Sequence, residues 1–178
     1  MPSLDSRNNW PSFSASIVES LMDGMASKPT ILIVSTLDTK LPETLYLRSA
    51  ILEHGQCQTQ ILDVSRVSRV GENEAQIYKD ELICPLRDSN DELSKLDRGQ
   101  YVDRAIEICT PVVQDLVSNA RINGIVSAAG STGSSLATTL MRHACPVGFP
   151  KLMVSTMASG DIKPYIEGRC VRNYPNSS

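Results

Sequence analysis

The stretch TILIVSTLDTKLPETLYLRSAILEHGQCQTQILDV, residues 30–64, decides the fold. It opens with a continuous apolar, β-branched run, TILIVS, which is typical of a strand covered on both faces. The segment PETLYLRSAILEHG predicts a helix, because Pro42 suits a first turn and Gly55 suits a C-terminal stop. The segment QTQILDVS then predicts a second strand. A strand, a helix and a strand of this combined length make one βαβ unit, and such units build parallel sheets with right-handed crossovers.

Strand and helix patterns return in the second half of the chain. The segment GIVSAAG, 124–130, predicts a strand that leads into STGSSLATTLMRHA, 131–144, as a helix. The segment PKLMVST, 150–156, predicts a further strand. Repeated units of this kind place the chain in the α/β class, and the expected architecture is a Rossmann-like three-layer domain with a mainly parallel sheet.

The middle of the chain has a less regular pattern. Residues 65–99 carry mixed charges and predict a solvated excursion with short helices at about 73–83 and 89–96. A lid over a site, or an interaction surface, is an alternative that the sequence leaves open. The run that follows, 99–124, has the apolar periodicity of a helix, and Pro111 within it predicts a kink or a split into two helices.

These patterns predict three segments along the chain. Residues 1–28 are rich in Ser, Asn and Asp, which predicts an N-terminal extension. Apolar residues at helical spacing between Ile17 and Met25 are the basis for the alternative, a short amphipathic helix. Residues 29–168 contain the α/β domain, and residues 169–178 are expected to be a C-terminal tail.

Composition narrows the classes of function. The 178 residues carry a formal net charge of −3 and only 4% aromatic residues, so neither nucleic acid nor a membrane surface is an expected partner. No apolar run reaches the roughly 18 residues of a membrane span, and the N-terminus lacks a secretory pattern, so a cytoplasmic location is predicted. Five cysteines without a C-x-x-C pair, and only two histidines, predict reduced thiols and no metal site.

Four predicted strand ends carry small, hydroxyl-bearing or charged residues. Because the carboxyl ends of parallel strands meet at one edge of a sheet, we expect these residues to form one site. Hydroxyls, a lysine and backbone N–H groups at a helix N-terminus are the groups that hold phosphate in proteins. The candidate cofactor-binding residues are Thr36, Asp38, Thr39, Lys40, Asp63, Gly130, Ser131, Thr132, Gly133, Ser134, Ser155, Thr156, Ala158 and Gly160.

Each of these features also has a purely structural explanation. Small residues before a helix most often only start it, since Ser and Thr are good N-caps. Asp38 would then cap the following helix, and Lys40 would be a surface lysine. Asp63 stands where an acid holds the ribose in dinucleotide sites, but neither G-x-G-x-x-G nor a Walker A sequence occurs in the chain. No Ser–His–Asp or Cys–His spacing supports a nucleophile, so no catalytic residue is assigned.

Several motifs also occur in a characteristic order: STLDTK-x-x-E, Asp-Val after the second strand, LDRG, AAGSTGSSLAT and VGFPKLMVSTMASGD. Over about residues 30–168 they resemble the ATP-binding N-terminal domain family of the tomato mosaic virus resistance protein and its uncharacterised bacterial and fungal relatives. The resemblance implies a domain that binds ATP and self-associates, usually followed by a second α/β domain. It places Thr36 to Lys40, Gly130 to Ser134, and Ser155 to Asp161 on the three loop motifs of the family.

The chain departs from the family pattern at two kinds of position. Ser35 and Leu41 stand where the family motif has glycine, and the second loop has fewer glycines than is usual. The chain also ends soon after Tyr165, so the second domain of the family is expected to be absent. The glycine departures bear on how tightly phosphate is bound, and the short C-terminus predicts an isolated or truncated first domain.

Three functional interpretations remain open at this point. The first is an ATP-binding module with little turnover, which acts through self-association, as a homodimer or a larger assembly, or through a protein partner. The second is an ATP-dependent hydrolase or transferase, in which Asp38 or Glu43 orients water or Mg²⁺ and Lys40 neutralises phosphate charge. The third is a truncated remnant that binds no ligand.

Overall fold

The computed structural model describes residues 28–67, 81–87, 90–159 and 172–175. Within those ranges, no helix is long and apolar enough to cross a membrane. The strands are β1 (Thr30–Ser35), β2 (Gln58–Asp63), β3 (Leu82–Ile83), β4 (Gly124–Ala129), β5 (Lys151–Ser155) and β6 (Arg172–Pro175). The helices are α1 (Leu37–Glu53), α2 (Asn90–Leu93), α3 (Arg98–Ser118) and α4 (Ser131–Ala144), and a 3₁₀ turn (Thr156–Ser159) follows β5.

The six strands form one sheet in the order β3-β2-β1-β4-β5-β6, and every pair of neighbours is parallel. Helix α1 packs on one face of the sheet, and α3 and α4 pack together on the other. These three layers confirm the predicted Rossmann-like α/β fold. The sheet includes Arg172–Pro175, residues that the sequence analysis assigns to the C-terminal tail.

Two apolar cores lie on opposite faces of the sheet. The larger core joins Leu32 and Val34 of β1 to α3 and α4. The smaller core lies under α1 and contains Ile33, Ile61 and Val126. Successive side chains of a strand point to opposite faces, so a strand covered on both faces needs apolar residues at every position. This arrangement explains the uninterrupted apolar run of β1.

Helix α1 begins at Leu37, well before the predicted start at Pro42. The Thr36 carbonyl accepts hydrogen bonds from the N–H groups of Thr39 (3.1 Å) and Lys40 (2.8 Å), so the expected open loop is a tight turn. Lys40 has non-helical backbone angles (φ −129°, ψ 23°), which separate this turn from the rest of the helix. Pro42 therefore stands near the start of the regular part, where its missing N–H is tolerated.

Two assignments in the polar middle of the chain are corrected. Leu82–Ile83 form β3 beside β2, where the sequence predicts the end of a helix at about 73–83; residues 73–80 lie outside the described ranges. The second predicted helix, at 89–96, is limited to Asn90–Leu93. A two-residue edge strand is held by its pairing with the neighbouring strand, so it leaves no periodic pattern of its own.

Helix α3 runs from Arg98 to Ser118 as one element with Pro111 inside it, so the predicted split into two helices is wrong. Pro111 removes the N–H that would bond the carbonyl of Glu107. Both residues are exposed, so water can take the place of the missing donor. Cys109 and Val113 are fully buried on the core side of the helix and hold it against the sheet.

The C-terminal end of α3 places an alanine in the left-handed region. Ala120 has a φ of 52°. Its N–H bonds to the Val117 carbonyl (3.1 Å), and the N–H of Arg121 bonds to the Leu116 carbonyl (2.8 Å). This is the hydrogen-bond pattern of a Schellman stop, a position that favours glycine.

We expect Ala120→Gly to raise the free energy of unfolding by about 0.5 kcal/mol, because glycine adopts this conformation without the steric cost of a Cβ. The gain is limited because glycine also gives the unfolded chain more freedom. Urea denaturation measures the change. Ala50→Gly, inside α1, is the matched control and should lower the free energy of unfolding by about 1 kcal/mol. Equal losses in the two variants would contradict the prediction.

Candidate functional site

The candidate site lies at the carboxyl ends of the two central strands, β1 and β4. Helix α1 leaves the end of β1 toward one face of the sheet, and α4 leaves the end of β4 toward the other. The chain turns at Thr36 after β1 and at Gly130 after β4. A crevice opens where the strand order reverses in this way, and ligands of open parallel sheets bind in such crevices.

A cavity of about 280 Å³, here called the polar cavity, occupies this crevice. Its lining residues are Thr36, Asp38, Thr39, Lys40, Arg66, Tyr101, Gly130, Ser131, Thr132 and Gly133. All of them except Arg66 and Tyr101 are among the residues predicted from the sequence. The structure therefore brings Lys40 and Gly133, which are far apart along the chain, to one shared cavity.

The N-terminus of α4 supplies backbone donors to the polar cavity. Its N-cap residue, Gly130, makes no side-chain capping bond. The first intrahelical bond runs from the N–H of Ser134 to the Gly130 carbonyl (2.8 Å). The N–H groups of Ser131, Thr132 and Gly133 precede that bond and have no acceptor within the helix. Together with the helix dipole they favour an anion at this end.

The two glycines at the start of α4, Gly130 and Gly133, have different surroundings. A Cβ at Gly133 would lie 2.8 Å from the Cβ of Ala129, closer than two carbons pack. A Cβ at Gly130 would meet nothing within 4 Å. Gly133 therefore lets α4 approach the end of β4, whereas Gly130 leaves open space beside the cavity.

Lys40 forms an exposed ion pair at the mouth of the cavity. Its Nζ lies 2.6 Å from Glu43 Oε1, and this hydrogen bond lowers the pKa of Glu43. Hydrogen bonds of the buried Thr44 hydroxyl fix the backbone at Lys40. This hydroxyl donates to the Lys40 carbonyl (2.7 Å) and lies 2.6 Å from Ser35 Oγ. Exposed ion pairs contribute little stability, so the ammonium group can exchange Glu43 for a phosphate.

Asp63 is buried beneath the polar cavity and does not line it. Its Oδ1 accepts hydrogen bonds from the N–H of Leu37 (3.3 Å), the N–H of Ser65 (2.9 Å) and the Ser65 hydroxyl. The Ser65 hydroxyl in turn accepts from the N–H of Asp38 (3.0 Å). Burial raises the pKa of Asp63, although these hydrogen bonds oppose the rise. Asp63 thus braces the first turn of α1 against the end of β2.

The third predicted loop contributes less to the polar cavity. Ser134 and Ser155 are buried with their hydroxyls 2.5 Å apart, a contact that joins α4 to the end of β5. Ser134 also donates to a carbonyl of the β4–α4 loop (2.6 Å). Thr156 is exposed and lines a neighbouring cavity. Ala158 lies in the 3₁₀ turn after β5, and Gly160 lies outside the described residues.

That neighbouring cavity, here called the apolar cavity, measures about 530 Å³ and lies on the α1 face of the sheet. Its apolar lining comes from Pro42, Tyr46 and Leu47 of α1 and from Ala128, Ala129 and Val154 of the sheet. Lys40 and Gly130 line both cavities, so the two adjoin. The side chain of Tyr46 is 79% exposed at the edge of the apolar cavity.

Two arginines at the site are missing from the sequence prediction. Arg66 lines the polar cavity; its Nε donates to the Leu93 carbonyl (3.0 Å), and its guanidinium lies 5.9 Å from the centre of the Tyr101 ring. Arg98 donates to the Ser131 hydroxyl (3.0 Å). Arg66 follows the end of β2, so the expectation that residues after the strands meet at one edge of the sheet could have identified it. Arg98 reaches the site only because α3 packs against α4, which no local pattern reveals.

The polar cavity has limited capacity for a metal ion. Across the described ranges, no group of three His, Cys, Asp or Glu side chains could hold one. Asp38 is the carboxylate among the residues that line the polar cavity. Mg²⁺ is commonly held by one or two carboxylates together with substrate phosphates and water, so this site fits Mg²⁺ as a companion of a phosphate-bearing ligand.

Comparison with known proteins identifies a family with bacterial members. Residues 29–171 match the N-terminal domain of the family described as Uncharacterised protein family (UPF0261). A UPF0261 protein of Clostridium tetani is 36% identical over 136 residues, which cover 76% of this chain and 33% of that protein. The UPF0261 protein RA0729 of Rhizobium meliloti is 32% identical over 147 residues, which cover 77% of this chain and 33% of that protein.

The chain is also similar to a tomato protein and, more weakly, to a solved structure. The ToMV susceptible protein tm-1(GCR26) of Solanum lycopersicum is 29% identical over 162 residues, which cover 79% of this chain and 20% of that protein. The chain thus spans a third of the length of the two bacterial relatives and a fifth of the tomato protein. MurG of Acinetobacter baumannii aligns with a TM-score of 0.49 and 14% identity over 84% of this chain and 43% of that chain.

Proposed function

We propose that in this chain, which belongs to the UPF0261 family and contains its N-terminal domain, the crevice between β1 and β4 binds a nucleotide, with ATP as the first candidate. The observation that supports this proposal most directly is the convergence on one polar cavity of Lys40, the hydroxyl-bearing turn at Thr36 and Thr39, and the uncapped N-terminus of α4. Backbone N–H groups, hydroxyls and a lysine are the groups that hold phosphates in other nucleotide sites.

The charges around the polar cavity also favour an anion. Lys40 and Arg66 are cationic and Asp38 is the acid that lines the cavity. Arg98 adds a third positive charge beside Ser131. Among the side chains that line the cavity the cations thus exceed the acids, although the Glu43 carboxylate that pairs with Lys40 offsets part of this positive charge until a phosphate displaces it. Mg²⁺ would accompany the phosphates, with Asp38 as the available carboxylate.

The proposed role is that of a binding module with little turnover, which acts through self-association or a protein partner. Among the described residues that line the polar cavity there is no histidine or cysteine that could serve as base or nucleophile. The presence of Asp38 and Lys40 in that cavity supports a second candidate, an ATP-dependent hydrolase or transferase. Release of phosphate from ATP that is abolished by Asp38→Asn would favour this second candidate.

We expect Lys40→Ala to weaken ATP binding by about tenfold or more, because a hydrogen bond to a charged group contributes about 1.5–3 kcal/mol. Isothermal titration calorimetry with ATP and Mg²⁺ at constant ionic strength measures the change. Lys28→Ala is the matched control, since Lys28 is exposed and precedes β1 at the opposite end of that strand. The control should bind as the wild type does.

Two results would count against the nucleotide proposal. Equal affinities of the Lys40→Ala and Lys28→Ala variants would remove Lys40 from the site. A ligand that binds the folded state raises the melting temperature by mass action. An unchanged melting temperature of the wild type at millimolar ATP, together with no heat of binding, would therefore reject the site as a whole.

A further inference from the structure

The proposed phosphate site uses only one of the two cavities that meet at the crevice. The polar cavity carries most of the donors and charges. The apolar cavity lies under the ends of β4 and β5 on the α1 face, and the polar side chains in its lining are Lys40, Glu43 and Thr156. Lys40 and Gly130 line both cavities. The space at Gly130 is open, since a Cβ there would meet nothing within 4 Å. One ligand can therefore occupy both cavities by passing Gly130.

The side of the polar cavity that faces β2 holds side chains that already have partners. Asp63 is buried, and its Oδ1 accepts three hydrogen bonds from Leu37 and Ser65. Because this carboxylate is only 3% exposed and does not line the cavity, a ribose could reach it only if the turn above it moved. Arg66 is held by the Leu93 carbonyl. The β4–β5 side is therefore the direction in which a ligand held by its phosphates can extend.

We propose that the apolar cavity is the subsite for the aromatic base of the nucleotide, and that Tyr46 stacks on that base. This inference rests on the proposed function. Tyr46 is exposed at the cavity edge, while Leu47, Ala128 and Val154 form an apolar wall behind it. A flat aromatic base matches such a cavity, because ligand sites are mostly apolar with a few polar groups and bases stack on tyrosine rings.

The fold explains why this cavity exists. Helix α1 covers β1 and β2, and its side chains Leu45 and Ile51 pack on that part of the sheet. The right-handed crossover that follows β4 carries α4 to the other face. Among the described residues, the α1 face of β5 and of the carboxyl end of β4 is therefore covered only at its edge, and Val154 is half-buried there. The same topology that forms the crevice also leaves an apolar surface beside it.

The test compares two ligands, ATP and inorganic tripolyphosphate, which lacks a base. We expect Tyr46→Ala to weaken ATP binding by about tenfold, the cost of one lost stacking contact, and to leave tripolyphosphate binding within about twofold of the wild type. Tyr46→Phe keeps the ring and should bind both ligands as the wild type does. Lys40→Ala should weaken both ligands. Calorimetry at constant ionic strength gives all of these affinities.

A second variant tests the cavity without touching Tyr46. Ala128→Leu places a larger side chain on its apolar wall, so it should weaken ATP binding and spare tripolyphosphate. Equal binding of ATP by Tyr46→Ala and the wild type, or an equal loss of both ligands in Tyr46→Ala, would overturn the base subsite and leave the phosphate site standing. A wild type that binds neither ligand would overturn the proposed function and this inference together.

Discussion

The Asp63→Ala variant is expected to lose about 3 kcal/mol of its free energy of unfolding. Alanine at this buried position would leave the N–H of Leu37 and both donors of Ser65 without their acceptor. Because Asp63 braces the first turn of α1, the variant should also bind ATP more weakly through a displaced Lys40. Urea denaturation followed by circular dichroism measures the loss of stability, and calorimetry measures the affinity.

Asp63→Asn separates the hydrogen bonds from the charge. Its amide oxygen can accept the same three hydrogen bonds, so this variant should keep most of the stability that Asp63→Ala loses. Burial raises the pKa of Asp63 in the folded state, which means that the ionised carboxylate is less stable in the folded protein than in the unfolded chain. Above the raised pKa, ionised Asp63 therefore lowers the free energy of unfolding of the wild type. The stability of the wild type relative to Asp63→Asn should therefore increase as the pH falls through the raised pKa toward the unfolded value of about 3.9. If the difference in free energy of unfolding between the wild type and Asp63→Asn did not change with pH, the pKa of Asp63 would not be raised in the folded state.

Gly133→Ala is the second variant for which we expect a large effect. The new Cβ would lie 2.8 Å from the Cβ of Ala129, so α4 must move away from the end of β4. Overpacking of this kind costs about 2 kcal/mol, and in a chain of this length the melting temperature should fall by about 5 °C. The measurement is a thermal melt at a fixed scan rate.

Gly130→Ala is the matched control for Gly133→Ala. It introduces the same methyl group three residues earlier, at the N-cap of α4, where there is open space and a negative φ of −84°. Its melting temperature should stay close to that of the wild type. A similar fall in both variants would show that the loop tolerates no Cβ at either position, and the packing role assigned to Gly133 would be wrong.

Local sequence patterns predicted several elements at their observed positions. β1, β4 and α4 occur where TILIVS, GIVSAAG and STGSSLATTLMRHA predict them. These strands are covered on both faces and this helix begins after a glycine, so the signals lie within a few neighbouring residues. The same patterns failed at Leu82–Ile83, a strand that depends on pairing with β2, and at Pro111, whose exposure allows α3 to continue.

At the candidate site, too, local sequence patterns predicted some features and missed those that depend on packing. The carboxyl ends of parallel strands meet at one edge of a sheet, and this led us to expect Lys40 and Gly133 side by side. Both residues line the polar cavity. Residue type alone could not separate Ser134 and Ser155, which bond each other in the interior, from hydroxyls that line the cavity. It also could not show that Asp63 is buried, with an Oδ1 that accepts hydrogen bonds from Leu37 and Ser65.

The sequence by itself determined the parallel α/β units and the polar turns at one edge of the sheet, because apolar runs, helix starts and helix stops depend on residues that are adjacent in the chain. Only the tertiary structure decided which of the polar side chains line the crevice. It placed Arg66 in the lining of the polar cavity and Arg98 against the Ser131 hydroxyl. It also buried Asp63 outside that lining and left an apolar cavity beside Tyr46. The direction of a side chain depends on packing between elements that are distant in sequence, and that packing has no local pattern.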